Sequence, residues 1–325
     1  SHAMNILTKG TDGERVGRVL RIERSSIHDG TGLRTVVFLK GCPLRCLWCS
    51  TPESQNPLPE KGYAEERCTL CGLCIENCPQ GALSLDEAGK RIVTDRDKCV
   101  NCFECVRVCP SGAMKSYGGF MTVDEVVEEV EKDAVFYFHS GGGVTISGGE
   151  PLDQPEFVQA LLRECQKHGI HRALETSFFA PWETIEPLLP LVNLLFVDMK
   201  HSMPEEHRRL TGVDNNLIVE NILKADASEY SFDLVIRTPL VPGLNDSEEA
   251  LAKAAHFLKD LRKLKEVEFL AYHRLGTDTY AHLGIPYPLN EIKSPSKDFM
   301  LSKARFFMSE AKGIPVAING VPVNP

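Results

Sequence analysis

The chain has 325 residues, 42% of them hydrophobic and 25% charged, an ordinary globular composition with room for one large domain and a small one. A net charge of −9 and a pI near 5.6 leave no general basic footprint for nucleic acid or an anionic membrane. No apolar run reaches the ~18 residues of a membrane span.

Residues 1–3, ahead of Met4, read as a cloning remnant and are set aside. A first strand is expected at 35–39. Directly after it come Cys42, Cys46 and Cys49, spaced Cys-x3-Cys-x2-Cys. A cubane cluster has four irons, so three thiolates leave one iron open to a substrate or cofactor. Taken alone, the triplet also fits a zinc site with a distant fourth ligand.

Residues 56–117 carry two full runs, Cys68-x2-Cys71-x2-Cys74-x3-Cys78-Pro79 and Cys99-x2-Cys102-x2-Cys105-x3-Cys109-Pro110. This is bacterial ferredoxin spacing, in which the fourth cysteine of each run serves the other run's cluster. Cys68, Cys71, Cys74 and Cys109 are therefore assigned to one [4Fe-4S] cluster, and Cys99, Cys102, Cys105 and Cys78 to a second. Each run is followed by Gly-Ala and an apolar residue, an internal repeat offset by 31 from Cys68 to Cys99. So small an inserted unit has little apolar core, and its clusters must supply most of its folding energy. Zinc favours paired spacings with four ligands, and disulfides suit small secreted domains, whereas no signal peptide is visible. Eleven of the 12 cysteines in oxygen-sensitive sites point to a reducing interior, the cytoplasm of an anaerobe. The twelfth, Cys165, reads as a small buried hydrophobe within a helix.

Outside the insertion, β-branched runs alternate with helical patterns. Strands are expected at 35–39, 144–147, 172–176, 194–200, 232–237 and 267–272. Helices are expected at 123–135, 155–168, 182–189, 217–225, 247–261 and 296–311, with Asp124 and Ser247 marking starts. Six βα units imply a parallel sheet. The expected fold is α/β: a partial (β/α)6 TIM-like barrel from 4–55 and 118–325, interrupted by a ferredoxin-like α+β domain at 56–117. Two units short of closure, such a barrel is open along one side, which suits a protein segment as substrate.

In such barrels the site lies at the C-terminal ends of the strands. The triplet follows the first strand. Gly148 and Gly149 end the second, where missing side chains let backbone approach a ligand or simply make a tight turn. Asp198 and Lys200 share a face at the end of the fourth, either binding polar ligand groups or closing the barrel top as an ion pair. Glu175 and Arg237 close the third and fifth strands, and His273 follows the sixth. The basic stretch 259–265 and His168 and His171 read as structural or solvated.

The string Arg24-Ser25-Ser26-Ile27-His28-Asp29-Gly30-Thr31-Gly32-Leu33-Arg34-Thr35, continuing through the triplet with Trp48 and on to Pro52-Glu53, resembles the glycyl-radical-enzyme activating enzymes. Those are members of the radical S-adenosylmethionine (SAM) enzymes, which Gly148-Gly149-Glu150-Pro151 also resembles. Matches at Asp198-Met199-Lys200, Val241-Pro242-Gly243 and Tyr272-His273-Arg274-Leu275-Gly276 extend the likeness over most of the chain. Thr31, where Pro is usual, and Glu175, where some members have Asp, are departures. The resemblance implies a third [4Fe-4S] cluster on Cys42, Cys46 and Cys49, with SAM on its open iron. It implies Gly148 and Gly149 at the methionyl amino group, Lys200 at the carboxylate, Arg237 and His273 at the carboxylate or ribose, and Trp48 near the adenine. Glu175 and Asp198 become the expected pair for a monovalent cation, and Asp29 is placed by an incoming glycine loop, unless it merely stabilises the turn before Gly30.

The implied reaction cleaves SAM reductively and abstracts a hydrogen atom from a glycine Cα of a partner glycyl radical enzyme, with flavodoxin or ferredoxin as electron donor. A radical SAM enzyme acting on a small molecule is the alternative. A polyferredoxin electron carrier leaves the triplet and six βα units without a role.

Overall fold

The computed structural model describes residues 11–325, so the residues read as a remnant and the start at Met4 lie outside the described residues. Strand β1 (Val16–Ser26) runs antiparallel to β2 (Arg34–Leu39). Val36, Val37 and Leu39 of β2 are fully buried, as a strand covered on both faces requires. Four short strands follow: β3 (Glu60–Tyr63), β4 (Leu83–Leu85), β5 (Ile92–Thr94) and β6 (Met114–Tyr117). They form two antiparallel pairs, β3 with β6 and β4 with β5. Their apolar cluster is separate from the main core, and Cys74 and Cys105 belong to it.

The chain rejoins the large sheet as β7 (Gly119–Thr122), which pairs with β1. Strands β8 (Gly143–Gly148), β9 (His171–Thr176), β10 (Leu194–Asp198), β11 (Asp233–Leu240), β12 (Leu264–Ala271) and β13 (Val316–Ile318) then add in sequence order. Every neighbouring pair from β2 through β13 is parallel. The last strand, β14 (Val321–Pro322), turns back antiparallel. Among the described residues the edges β14 and β7 do not pair with each other, so the sheet stays open. Helices cover one face: Leu161, Leu162 and Cys165 of Pro155–Lys167 are fully buried in the main core. Ala173, Leu194, Phe196 and Val235 form a small cluster of their own on the other face. No helix among the described residues is long and apolar enough to cross a membrane.

All six expected parallel strands form. The seventh, β13, has three residues and is too short to show a period, and β1 mixes charges with apolar residues. The fourth strand ends at Asp198, so Lys200 stands beyond it. The helix expected at 123–135 divides into Val123–Glu131 and Ala134–Ser140. Asp133 at the break accepts from Arg24 Nε at 2.9 Å and Thr35 Oγ1 at 3.2 Å. Thr122, not Asp124, caps the first of these by accepting from the Glu125 amide, while Ser247 does cap Glu248–Leu258. Residues 182–189 give one α turn, Trp182–Ile185, and then a 3-10 segment, because Pro187 and Pro190 remove donors.

Replacing the fully buried Leu161 with Ala should cost about 2–5 kcal/mol. Anaerobic denaturant titration should show a lower midpoint with an unchanged slope.

Candidate functional site

Cys42, Cys46 and Cys49 occupy the loop after β2, and all three are half-buried. Backbone contacts hold this loop from two sides. Gly41 and Cys42 donate to the Ser54 and Gln55 carbonyls at 2.6 and 3.2 Å, and Arg45 and Leu47 donate to those of Thr211 and Leu210 at 2.7 and 3.0 Å. The Tyr280 hydroxyl donates to the Cys49 carbonyl at 2.9 Å. A Cβ on Gly276 would lie 2.2 Å from the Ser50 carbonyl, so only glycine lets the helix Thr277–Leu283 start against the triplet. Trp48 is buried with Leu210, Val241, Tyr272 and Leu289 beneath the same loop.

Gly148 and Gly149 answer first to backbone packing. A Cβ on Gly148 would fall 2.2 Å from the Leu39 nitrogen, and one on Gly149 2.2 Å from the Gly41 carbonyl. Gly149 and Glu150 donate their amides to the Leu39 and Gly41 carbonyls at 3.0 and 2.7 Å. The two glycines thus seat the triplet loop on the end of β8. Glu150, which the sequence reading left without a role, is buried and takes four donors. They are the Leu152 amide at 2.9 Å, Thr176 Oγ1 at 2.7 Å, and the Ser177 amide and Oγ at 2.7 and 2.6 Å. Burial raises its pKa against the pull of these donors. Its place directly after Gly-Gly was the available signal. Tyr280 lies 231 residues from its partner, and no spacing points to it.

Asp198, Arg237 and Glu268 stand in register across β10, β11 and β12. Arg237 donates to Glu175 Oε1 and to the His28 carbonyl, each at 2.7 Å. Its guanidinium lies 3.9 Å over the Phe196 ring and comes within 3.9 Å of Asp29 Oδ1. Its Nε is 2.8 Å from Glu268 Oε1, but the N–H is not aimed at that oxygen, so the contact is an ion pair without a hydrogen bond. Arg237, expected at a ligand carboxylate or ribose, thus lies among carboxylates, with Glu268 beside it in register and Glu175 accepting its hydrogen bond.

Glu175 also accepts from Ser147 Oγ at 2.5 Å. Burial pushes its pKa up to about 7, with Arg237 opposing and Asp29 adding to the shift. Lys200 Nζ pairs with Asp198 Oδ2 at 2.6 Å. Burial works against the Lys200 charge, but Asp198, Cys46 and Cys42 together hold its pKa above that of an ordinary lysine. Glu175 and Asp198, the expected cation pair, hold Arg237 and Lys200 respectively. Asp29 takes Ser26 Oγ at 2.5 Å, and its carbonyl accepts from Thr145 Oγ1 at 2.7 Å. His273 is exposed at the strand-end rim, its Nδ1 accepting from the Leu275 amide at 3.4 Å. Burial pushes the Cys42 thiol up to about 12 and Cys46 to about 11, so these groups become thiolates by binding metal.

The eight insertion cysteines line two cavities. Cys68, Cys71, Cys74 and Cys109 line one, and Cys78, Cys99, Cys102 and Cys105 line the other, the fourth cysteine of each run standing in the other run's cavity. Left-handed residues recur at the repeat offset: Leu70 and Asn101 at φ 58° and 51°, Gly72 and Phe103 at 78° and 64°. Turns of this kind aim successive amides into a concavity. The Leu70, Ala82 and Met114 amides donate to Cys68, Cys78 and Cys109 Sγ at 3.4, 3.3 and 3.5 Å. Against burial, such amides lower the Cys78 and Cys109 pKa values. Among the described residues no three of His, Cys, Asp and Glu converge as closely as a single ion needs. The thiols of a cubane bind separate irons and stand wider, and a set of four sulfurs is soft, as an iron–sulfur cluster requires.

A model of the Radical SAM superfamily matches residues 36–255. An isethionate sulfite-lyase activating enzyme of Oleidesulfovibrio alaskensis is 44% identical over 284 residues, 86% of this chain and 91% of that protein. A (2S)-3-sulfopropanediol dehydratase activating enzyme of Klebsiella oxytoca is 41% identical over 288 residues, 87% of this chain and 90% of that one. A radical SAM methyltransferase structure from Sphaerobacter thermophilus shares the fold, with 14% identity and a TM-score of 0.52 over 92% of this chain and 76% of that one.

The raised Glu175 pKa has a signed consequence. Between about 4.5 and 7 the folded state keeps a proton that the unfolded state has lost, so this group lowers stability as pH rises through that window. Glu175→Gln, which mimics the protonated form, should gain in melting temperature relative to the parent from pH 5 to pH 7 and change little above. A difference constant with pH would exclude the shift.

Proposed function

The chain belongs to the radical SAM superfamily and, within it, to the activating enzymes of glycyl radical enzymes, and from that premise we propose that Cys42, Cys46 and Cys49 hold a [4Fe-4S] cluster with SAM at its open iron. With one electron, this site cleaves SAM to methionine and a 5′-deoxyadenosyl radical that takes a hydrogen atom from a glycine Cα of the partner enzyme. The observation that carries the assignment is the clamped triplet beside the Lys200 ammonium.

Lys200 binds the SAM carboxylate as a point charge, with Asp198 setting its position. The Gly149 amide is already engaged, so the amino group of SAM meets carbonyl oxygens of Gly148 and Gly149. Trp48 backs the adenine side, and His273 at the rim contacts the ribose. Arg237 acts on Asp29 and Glu175 and holds them where the glycine loop enters. The chain needs no general acid or base. Its work is to position and to exclude water.

The open sheet acts as a partial (β/α)6 TIM-like barrel with β13 added, and 56–117 as a ferredoxin-like domain carrying two more [4Fe-4S] clusters on the two cysteine sets. These pass electrons from flavodoxin or ferredoxin. The isethionate sulfite-lyase and sulfopropanediol dehydratase activators among the relatives support a lyase or dehydratase as partner. The surroundings are cytoplasmic and anaerobic, with neither nucleic acid nor membrane as partner, in keeping with the charge of −9.

Anoxic preparations should hold about twelve irons per chain, and Cys46→Ala about eight, with SAM cleavage lost. Mixing the reduced protein and SAM with the glycyl radical enzyme should give a glycine-centred doublet by electron paramagnetic resonance. Deoxyadenosine formed with a small molecule and no doublet with any partner would overturn the activating role. Cys71→Ala or Cys102→Ala should slow activation by a protein donor more than by dithionite; equal slowing would remove conduction.

A further inference from the structure

Strand β3 passes both insertion cavities on its way out from the triplet. At its start, Glu60 Oε1 takes the Lys40 ammonium at 3.1 Å, and Lys40 precedes Cys42 by two residues. Next comes Lys61, which lines the cavity of Cys78, Cys99, Cys102 and Cys105. Tyr63, about 7 Å further along the strand, lines the cavity of Cys68, Cys71, Cys74 and Cys109. Outward from the triplet, the Lys61 cavity is therefore the nearer and the Tyr63 cavity the farther. Arg96 donates to the Lys61 carbonyl at 3.3 Å and to the Leu283 carbonyl at 3.1 Å, and His282, one residue earlier, lies 3.0 Å from Glu66, which precedes Cys68 by two residues. Leu283 ends the helix whose Tyr280 holds Cys49.

The two cavities differ by one charge. Lys61 is 2% exposed, and its ammonium donates to Thr94 Oγ1 at 2.6 Å. Apart from the cysteines, it is the one formally charged side chain lining either cavity. Among the described residues its ammonium makes no ion pair with a carboxylate; Arg96, of like sign, faces it, as do Cys105 and Cys99 of its own cavity and, less strongly, Cys74 of the other. A buried ammonium without a carboxylate is costly, so the compensating negative charge has to stand in the cavity itself.

We infer that Lys61 stabilises an added electron at the nearer site, setting the reduction potential of the cluster on Cys78, Cys99, Cys102 and Cys105 above that of the cluster on Cys68, Cys71, Cys74 and Cys109. The inference rests on the reading that two clusters occupy the insertion. The step moves one electron: a low-potential protein donor reduces the farther cluster, which is reoxidised as the nearer one is reduced, with no bond or proton transferred. Cluster potential follows net charge and burial, and a cation in a low-dielectric site favours the more negative state. Cys71 and Cys102 are both exposed, so it is the order along β3 that sets the direction: an electron entering at the farther cluster falls toward the triplet.

The test uses the full chain with Cys42→Ala, Cys46→Ala and Cys49→Ala combined, so that only the insertion reports. Redox-poised electron paramagnetic resonance should resolve two one-electron signals at different potentials, with about eight irons bound. Cys102→Ser should perturb the higher-potential signal and Cys71→Ser the lower. Lys61→Met should change the reduced-to-oxidised ratio at the upper midpoint at least tenfold, a fall of about 59 mV, and move the lower signal, which Lys61 reaches only through Cys74, by less, and Lys61→Arg should restore both. Unmoved midpoints in Lys61→Met, or Cys102→Ser acting on the lower signal, would overturn the inference while the two clusters stand. Iron near zero would remove the two-cluster reading and the inference with it.

Discussion

Strands β2 and β8 bring residues 39–41 and 148–150 so close together that neither Gly148 nor Gly149 has room for a Cβ. Two backbone hydrogen bonds fill that contact, from Gly149 and Glu150 to Leu39 and Gly41. The start of the cysteine loop is thereby placed by main chain alone. Glu150 carries the constraint one strand further, since its buried carboxylate binds the Thr176–Ser177 turn after β9. On the opposite side, Gly276 and Tyr280 press on Ser50 and Cys49. Movement of any of these strand ends would shift the thiols.

Below the thiols, the inner face is layered by charge. Lys200 lies past the end of β10, near Cys42 and Cys46, and Asp198 alone pairs with it. Arg237 sits within β11, deeper in the sheet, among Glu175, Glu268 and Asp29. Burial, with the nearby Asp29 adding to it and Arg237 opposing, raises the Glu175 pKa toward neutral. The upper layer suits an amino-acid ligand head. The lower layer holds the loop containing Asp29 against the sheet and narrows the approach to it.

The parallel strands were legible because each is a short β-branched run followed by a helical period, and the cysteine sets because their spacing is close and local. What escaped has physical causes. The β1 strand lies at the mixed, partly exposed side of the sheet, and its alternation is masked by Arg18, Arg21, Glu23 and Arg24. The partners of Arg237 come from four separate segments, so its strand-end position gave no sign of Glu268 beside it in register or of its hydrogen bond to Glu175. No sequence pattern marks Lys61, which the fold buries.

The triplet loop and the lobe between β3 and β6 also differ in what shapes them. The triplet loop is gripped by main-chain contacts to 54–55, 210–211 and Tyr280, none of which involves a thiol. In the insertion, Cys74 and Cys105 are themselves part of a seven-residue apolar cluster. The strand-end cradle is thus shaped by main chain whether or not its thiols are engaged, whereas the cohesion of the smaller lobe includes its own cysteines.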